Sequence, residues 1–322
     1  MKRIGIALAT AATLAFSAAS AVAQSFPDQP VRIVVPYSPG GSGDTLTRTL
    51  AEQVSKRFGQ SVVVENKPGG GTVIGAQAVA NAPADGLSLL FVAASFVINE
   101  HLMPKLPFKP LADFAPVTLA ASNPHVLVVH PSVPANDLQE FIAWAKARNG
   151  QATFASFGNG SSGHLGFELL KKAAGFDMVH VPYKGVAPAT TDLIGGQVDA
   201  MLSDLPQVIQ YVTSGKLKAI AIAAAERAPT LPEVPTMDES GLKDFRSGSW
   251  YGFVVRAGTP EQAIARWSEA LVAALHEPSV QARLEQLGMD TIASTREAFG
   301  RFLASESQRY AEAVRLSGAR VD

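Results

Sequence analysis

Residues 31–44, VRIVVPYSPGGSGD, join a run of β-branched residues to a glycine-rich turn. The run at 31–35 is bounded by prolines and predicts a buried β-strand. Beyond the turn, large apolar residues recur every fourth position over 46–58, which predicts one apolar face of a helix that ends at Gly59. This order of strand, glycine-rich turn and helix is typical of an α/β fold with parallel strands.

The same order of elements recurs three more times along the chain. Strands are predicted at 61–65 and 87–94, with a second glycine-rich turn at 66–71 and a helix at 72–81. The series begins again at an offset of roughly 115 to 120 residues, with low sequence identity to the first series. Its predicted strands are 152–156, 178–182 and 198–203, and its turns are 157–164 and 183–188. Its first helix carries Phe167, Leu170 and Ala174 on one face and ends at Gly175, and its second helix is 189–195. The repetition predicts two similar lobes, each with a sheet covered by helices.

The segments between the two series predict where the lobes meet. Residues 117–129 are long and apolar enough to leave one lobe and enter the other, and a strand at 250–255 runs back. We therefore assign 24–122 plus 247–322 to lobe 1 and 123–246 to lobe 2. Two lobes joined by two chain crossings form a hinged clamshell with a ligand cleft between them.

Composition excludes several classes of function. The 322 residues are 47% hydrophobic and 17% charged, with a formal net charge of −1, so no basic surface for nucleic acid is expected. Cysteine is absent, which excludes disulfides, thiol catalysis and cysteine-ligated metals. The six histidines form neither H-x-H nor H-E-x-x-H, so we predict no metal site and no cofactor.

The first 23 residues have the pattern of a secretory signal peptide. Lys2 and Arg3 precede an apolar run at 4–16, and small residues lead to an A-x-A sequence that ends at Ala23. The apolar run is shorter than the roughly 20 residues that a membrane span requires. We predict export to the periplasm and cleavage after Ala23.

The glycine-rich turns are the candidate binding elements. The N–H groups at the start of a helix have no partner within it, and the helix dipole adds partial positive charge there. These groups favour a carboxylate, phosphate or sulfate. Ligands of α/β sheets bind beyond the carboxyl ends of the strands, so turns from the two lobes could face each other across the cleft.

Other interpretations of these residues remain open. The turns lack a G-x-G-x-x-G fingerprint in register and a Walker A loop, which disfavours nucleotides. Ser161 and His164 could serve a hydrolase, although no G-x-S-x-G elbow is present. Asp44 could cap its helix or contact the ligand. Trp250 and Tyr251 could line the cleft, but aromatic residues in a strand more often belong to the core.

Seven collinear motifs carry a resemblance that covers the whole chain after the leader. They are PYxxGGxxD at 36–44, VENKPG at 64–69, DFAPVT at 113–118, GNGSxxHL at 158–165, YKGxxPAxxDL at 183–193, LPEVPT at 231–236 and WYGF at 250–253. Together they resemble the Bug family, the periplasmic substrate-binding proteins of tripartite tricarboxylate transporters. Arg256 departs from the proline that this family more often has before AGTP.

The resemblance implies a type II periplasmic binding protein, without catalysis, that captures a small carboxylate and delivers it to membrane transporter subunits. A sensor for a signalling partner is the alternative, and a hydrolase is a weaker one. We expect a monomer with no nucleic-acid partner. The ligand-binding residues implied are Tyr37, Ser38, Gly40, Gly41, Asp44, Ser95, Ser156, Gly160, Ser161, His164, Lys184, Gly185 and Asp204.

Overall fold

The computed structural model of the protein describes residues 26–320. The strands are β1 (Val31–Val35), β2 (Val62–Asn66), β3 (Ser88–Ala93), β4 (Phe114–Val129), β5 (Thr153–Ser156), β6 (Val179–Pro182), β7 (Ala200–Asp204), β8 (Lys218–Ile222), β9 (Gly248–Arg256) and β10 (Asp290–Thr291). The α-helices are α1 (Ser42–Phe58), α2 (Val73–Ala80), α3 (Ser95–Leu102), α4 (Leu138–Ala147), α5 (Ser162–Ala174), α6 (Val186–Ile194), α7 (Leu205–Thr213), α8 (Glu261–Leu275), α9 (Pro278–Gln286) and α10 (Arg296–Ser317).

The strands form two halves that share the long strand β4. The order is β2-β1-β3-β9-β4-β7-β5-β6, and β8 and β10 also pair with β4. Strands β1, β2 and β3 are parallel, as are β5, β6 and β7, whereas β4 and β9 run antiparallel to their neighbours. Each parallel group follows the strand–turn–helix order expected from the sequence.

Strand β4 carries the chain from one half to the other. Its residues from Phe114 to Pro124 pair with β9, and those from His125 to Val129 pair with β7. A single continuous strand thus contributes to both sheets. The lobe boundaries assigned from the sequence stay a prediction.

Both faces of the inner strands in each half are buried. In β1, Ile33 and Val35 pack into one apolar cluster and Val34 into another on the opposite face. In β4, Leu127 and Val126 divide in the same way between two further clusters. Side chains alternate across a strand, so helices on both faces cover a strand that is apolar throughout. This explains why these strands are continuous runs of apolar residues.

The C-terminal helices extend over the half that contains β1. Trp267 in α8 is fully buried, and its Nε1–H donates to the carbonyl of Gly86 at 2.8 Å. Helix α10 packs against both α3 and α5. Trp250 of β9 donates to Glu306 of α10 at 2.9 Å, so this aromatic residue belongs to the core.

The α/β class expected from the sequence is confirmed, and the predicted strands lie within a few residues of the observed ones. Helices α3, α4, α7 and α9 and strand β10 were not predicted. The predicted leader at 1–23 lies outside the described residues. In the part of the chain that is described, no helix is long and apolar enough to span a membrane.

Candidate functional site

A cavity of about 360 Å³ lies where the two halves meet. Its wall combines the turn after β1, the end of β3 with the start of α3, the turn after β5 and the first half of β9. The sixteen lining residues are Tyr37, Gly41, Ser42, Gly43, Asp44, Phe91, Ala93, Ala94, Ser95, Ile98, Phe157, Gly160, Ser161, Ser162, Ser249 and Tyr251. Its volume falls in the range of small-molecule sites.

Two helices begin on the wall of this cavity. The first hydrogen bond of α1 runs from the N–H of Thr45 to the carbonyl of Gly41, and that of α5 from Leu165 to Ser161, both at 2.9 Å. The N–H groups of the residues that begin each helix therefore have no partner within it. The positive ends of two helix dipoles meet at one cavity, which favours an anion there.

The two glycine-rich turns are held in the same way. In each, the third residue of the helix accepts a hydrogen bond from a glycine N–H four positions earlier. Gly40 donates to Oδ2 of Asp44 at 2.9 Å, and Gly160 donates to Nδ1 of His164 at 3.0 Å. Both glycines have positive φ, +90° and +74°, a conformation that other residues seldom adopt.

Asp44 is a buried anion with several hydrogen-bond donors around it. Besides Gly40, it accepts from Nε of Arg48 at 3.0 Å and from Nδ2 of Asn66 at 2.9 Å. Burial acts to raise its pKa, but the hydrogen bonds from Arg48, Gly40 and Asn66 outweigh burial and lower it. Asp44 thus stabilises the turn while it also lines the cavity.

His164 is a buried and neutral acceptor. Its ring stacks on that of His180 with centroids 3.6 Å apart. Burial first, and then the nearby charges of His180 and Lys171, lower the pKa of His164 to about 3. Because Nδ1 accepts the Gly160 N–H, the proton of the neutral ring is on Nε2. His164 contacts its own turn and does not line the cavity.

Buried Ser156 and half-buried His180 form a hydrogen-bonded pair behind the same turn. Ser156 Oγ lies 2.7 Å from Nε2 of His180 and donates to the carbonyl of Gly158 at 3.0 Å. Burial, followed by the charge of Lys171, lowers the pKa of His180 to about 4. Because Ser156 is fully buried, this pair supports the turn from behind.

The structure divides the sequence-predicted site residues into two groups. Those that line the cavity are Tyr37, Gly41, Asp44, Ser95, Gly160 and Ser161. Those that do not are Ser38, Gly40, Ser156, His164, Lys184, Gly185 and Asp204. In the second group, Ser38, Gly40 and Lys184 are exposed, and Asp204 Oδ1 lies 3.3 Å from Nε2 of the buried His125.

Sequence reasoning missed two of the four aromatic residues on the wall, Phe91 and Phe157, whereas it predicted Tyr37 and considered Tyr251 as a cleft residue. The rings of Phe91 and Tyr251 stack with centroids 5.8 Å apart, and Tyr37 meets Phe91 edge-on at 6.0 Å. Gly43 lies so close to Phe91 that an added Cβ would come within 2.5 Å of the ring, and Gly163 stands in the same relation to Phe157. The sequence carries a signal for these close contacts, because Ser-Gly forms the first two residues of both α1 and α5.

Comparison with known proteins identifies the family. The sequence signature described as "Tripartite tricarboxylate transporter family receptor" matches residues 46–318. The chain belongs to this family. BugT of Bordetella pertussis is 37% identical over 320 residues, which are 99% of this chain and 97% of that protein. The resemblance to the Bug family drawn from the seven motifs is therefore confirmed.

Solved structures of relatives share the fold. The structure of MatC from Rhodopseudomonas palustris with bound malate is 33% identical and has a TM-score of 0.74, covering 90% of this chain and 100% of that one. A second R. palustris protein, solved with adipate, is 30% identical with a TM-score of 0.77 and covers 92% and 100%. These matches confirm the two-lobe fold of a periplasmic solute-binding protein. As a member of this receptor family, the protein has the role of a transporter's solute-binding subunit.

Proposed function

We propose that this protein binds a small carboxylate in the cavity between its lobes and delivers it to the membrane subunits of a tripartite tricarboxylate transporter. The observation that carries the proposal is the start of two helices, α1 and α5, on the wall of one cavity. The malate and adipate of the two R. palustris structures support the same ligand class.

The N–H donors at the two helix starts come from both lobes, so ligand binding affects how close the lobes are. A carboxylate between the two helix starts is stabilised best when the lobes are close. Binding therefore shifts the population towards the closed form, which a membrane partner can distinguish from the open form. Of the predicted residues, the six that line the cavity are the ones we propose to contact the ligand, while Gly40, His164 and Ser156 support the turns.

A receptor returns its ligand unchanged, and the geometry around Ser161 favours this over hydrolysis. Ser161 Oγ accepts the backbone N–H of His164 at 3.3 Å, as a helix cap does. The imidazole Nδ1 of His164 already accepts from Gly160, so it is not free to take a proton from Ser161. The low pKa of His164, about 3, makes it a weak base.

The direct test removes single N–H donors from the helix starts. Proline is favoured at the first position of a helix, so Ser42→Pro and Ser162→Pro delete one N–H each with little cost to the helix. The residues before them, Gly41 and Ser161, are already extended, as a following proline requires. Ser42→Ala and Ser162→Ala are the matched controls, since they keep the N–H and lose only the hydroxyl.

Calorimetric titration of refolded, ligand-free protein with a panel of carboxylates and neutral amides gives the readout. We expect each proline variant to weaken carboxylate binding by about tenfold or more, as expected for a charge-assisted hydrogen bond, and each alanine variant to weaken it less. Recovery of the acid unchanged after incubation supports a receptor. Binding of neutral amides alone, or consumption of the acid, would contradict the proposal.

Export and assembly state form the remaining part of the proposal. We propose that the leader is cleaved after Ala23 and that the mature protein is a periplasmic monomer without nucleic-acid partners. Mass spectrometry of protein from a periplasmic extract should give a chain that begins at Gln24. Light scattering should give the mass of one mature chain with and without ligand, and a dimer mass would overturn the monomer.

A further inference from the structure

We infer that the ligand is a monocarboxylate with an apolar, preferably aromatic, body, and not a di- or tricarboxylate. The inference rests on the proposed function, because it assumes that the helix starts bind one carboxylate. It concerns what the rest of the cavity wall can hold. It would distinguish this protein from the relatives solved with malate and adipate.

Charge is the first argument. Among the sixteen lining residues there is no lysine, arginine or histidine, and the one ionisable carboxyl group is that of Asp44. Burial raises the pKa values of Tyr37 and Tyr251, so both hydroxyls are neutral. A second carboxylate on the ligand would be close to the Asp44 anion with no cationic side chain on the wall. Burying such an unpaired charge is costly.

The negative charge of Asp44 is stabilised by the protein and not by the ligand. Its oxygens already accept from Gly40, Arg48 and Asn66. Neither Arg48 nor Asn66 lines the cavity, so their positive and polar groups stabilise Asp44 from behind. Each helix start carries about half a positive charge, so the two together compensate one added negative charge and leave a second one uncompensated.

The chemistry of the remaining wall is the second argument. Four aromatic rings face the cavity, from Tyr37, Phe91, Phe157 and Tyr251, and alkyl groups come from Ala93, Ala94 and Ile98. The rings of Phe91 and Phe157 fit against Gly43 and Gly163 in the first turns of α1 and α5, where any side chain would clash with them. Aromatic faces and edges pack favourably on a planar ring.

The hydroxyl groups of the wall are partly committed to one another. Tyr37 OH and Ser95 Oγ lie 2.7 Å apart, and Ser162 Oγ and Ser249 Oγ lie 3.5 Å apart, a pair that connects α5 to β9. Some of their donor capacity is therefore used within the wall. What is left suits a single polar substituent better than a second carboxylate. At about 360 Å³ the cavity has room for on the order of ten non-hydrogen atoms.

The test compares acids of matched size and different charge. Ligand-free protein is titrated at pH 7 with hexanoate against adipate, benzoate against terephthalate, and benzoate against cyclohexanecarboxylate. We expect each monocarboxylate to bind at least about tenfold more tightly than its dicarboxylate, because the second charge is unpaired. Benzoate should bind more tightly than its saturated analogue.

A charge-insertion variant tests the reason for the preference. Ser249→Lys places an ammonium group on the wall, and it should shift the adipate-to-hexanoate affinity ratio by about tenfold towards adipate. The matched control is Ser279→Lys, an exposed position on α9 that does not line the cavity, and it should leave the ratio unchanged. Thermal unfolding followed by circular dichroism checks that both variants are folded.

The outcomes separate this inference from the proposed function. Tighter binding of adipate or terephthalate than of the matched monocarboxylate would overturn the inference and leave carboxylate binding intact. An unchanged ratio in folded Ser249→Lys would overturn the charge argument. Failure of every acid to bind would overturn the proposed function, and the inference with it.

Discussion

The backbone N–H of Gly160 donates to Nδ1 of His164 at 3.0 Å, so a histidine buried beside the cleft serves as an acceptor for the turn that lines it. Gly160 has a positive φ of +74°, and the hydrogen bond helps to keep it in that conformation. In the other lobe the acceptor is an anion, because the N–H of Gly40 donates to the carboxylate of Asp44. Both turns present helix N–H groups to one cavity, and both depend on the third side chain of the helix.

Removal of the acceptor at His164 should weaken ligand binding although the residue does not line the cavity. In His164→Ala the N–H of Gly160 loses its partner, at a cost of about 1–3 kcal/mol, and the turn becomes mobile. We expect affinity to fall by about tenfold on calorimetric titration. His164→Asn keeps an acceptor near the position of Nδ1 and should recover part of the affinity. Equal losses in both variants would contradict a role for this hydrogen bond.

Replacement of Asp44 by asparagine should destabilise the protein in a pH-dependent way. The pKa of Asp44 is lowered in the folded state, so its contribution to stability is present above the unfolded pKa of about 3.9 and is lost as pH falls through the lower folded value. We expect Asp44→Asn to lower the free energy of unfolding by about 1–3 kcal/mol at neutral pH.

Urea unfolding at several pH values checks the Asp44 prediction. The difference between wild type and Asp44→Asn should be largest at pH 7 and should shrink as the pH falls below about 4. Glu52→Gln, on the same helix but exposed, is the control and should show little change at any pH. A difference that is independent of pH would contradict the assigned role of the carboxylate.

The stacked histidines should make stability fall on mild acidification. The pKa values of His164 and His180 are lowered to about 3 and about 4, below the unfolded value of about 6.5. The unfolded chain therefore binds more protons between pH 6.5 and 4, and stability is lost as the pH falls through this window. At pH 5 the loss should be on the order of 1–2 kcal/mol per histidine.

A variant that keeps the stacking but cannot titrate tests this pH dependence. His180→Phe retains an aromatic ring beside His164, and its free energy of unfolding should decrease less than that of wild type between pH 7.5 and pH 5. The exposed His276 is the matched control, because His276→Phe should leave the slope unchanged. Equal losses of stability in wild type and His180→Phe would mean that folding does not lower the pKa of His180.

A methyl group added at Gly43 should destabilise the protein, against the usual preference of helices for alanine. The new Cβ would come within 2.5 Å of the Phe91 ring, so the ring must move in a packed wall. We expect a loss of about 1–3 kcal/mol and weaker ligand binding. At Gly300 in α10 the added Cβ would meet Pro116 at an ordinary 3.5 Å, so Gly300→Ala should stabilise by up to about 1 kcal/mol.

The Gly43 prediction can be separated from a general effect on the helix. In the double variant Gly43→Ala with Phe91→Leu, the smaller side chain leaves room for the methyl group. Its free energy of unfolding in urea should exceed the value expected from adding the two single changes. Additive losses would mean that the two residues do not interact.

Local signals along the chain determined the fold class and the general position of the cleft. Prolines and β-branched residues set the ends of β1, and the period of four from Leu46 to Phe58 sets the face of α1. Collinear motifs determined the family. These features depend on residues a few positions apart, so they can be read without the tertiary structure.

Tertiary structure decided which of the candidate residues surround the cavity. Ser249 and Tyr251 come from a strand more than 200 residues after the β1 turn, and no periodicity connects them to Gly41 or Ser161. The same sequence signal, a polar residue near a glycine-rich turn, marks both Ser161 on the wall and His164 behind it. The direction of a side chain at a helix start depends on the residues packed against it. The ring of His164 in α5 packs on His180 of strand β6, which is distant in sequence.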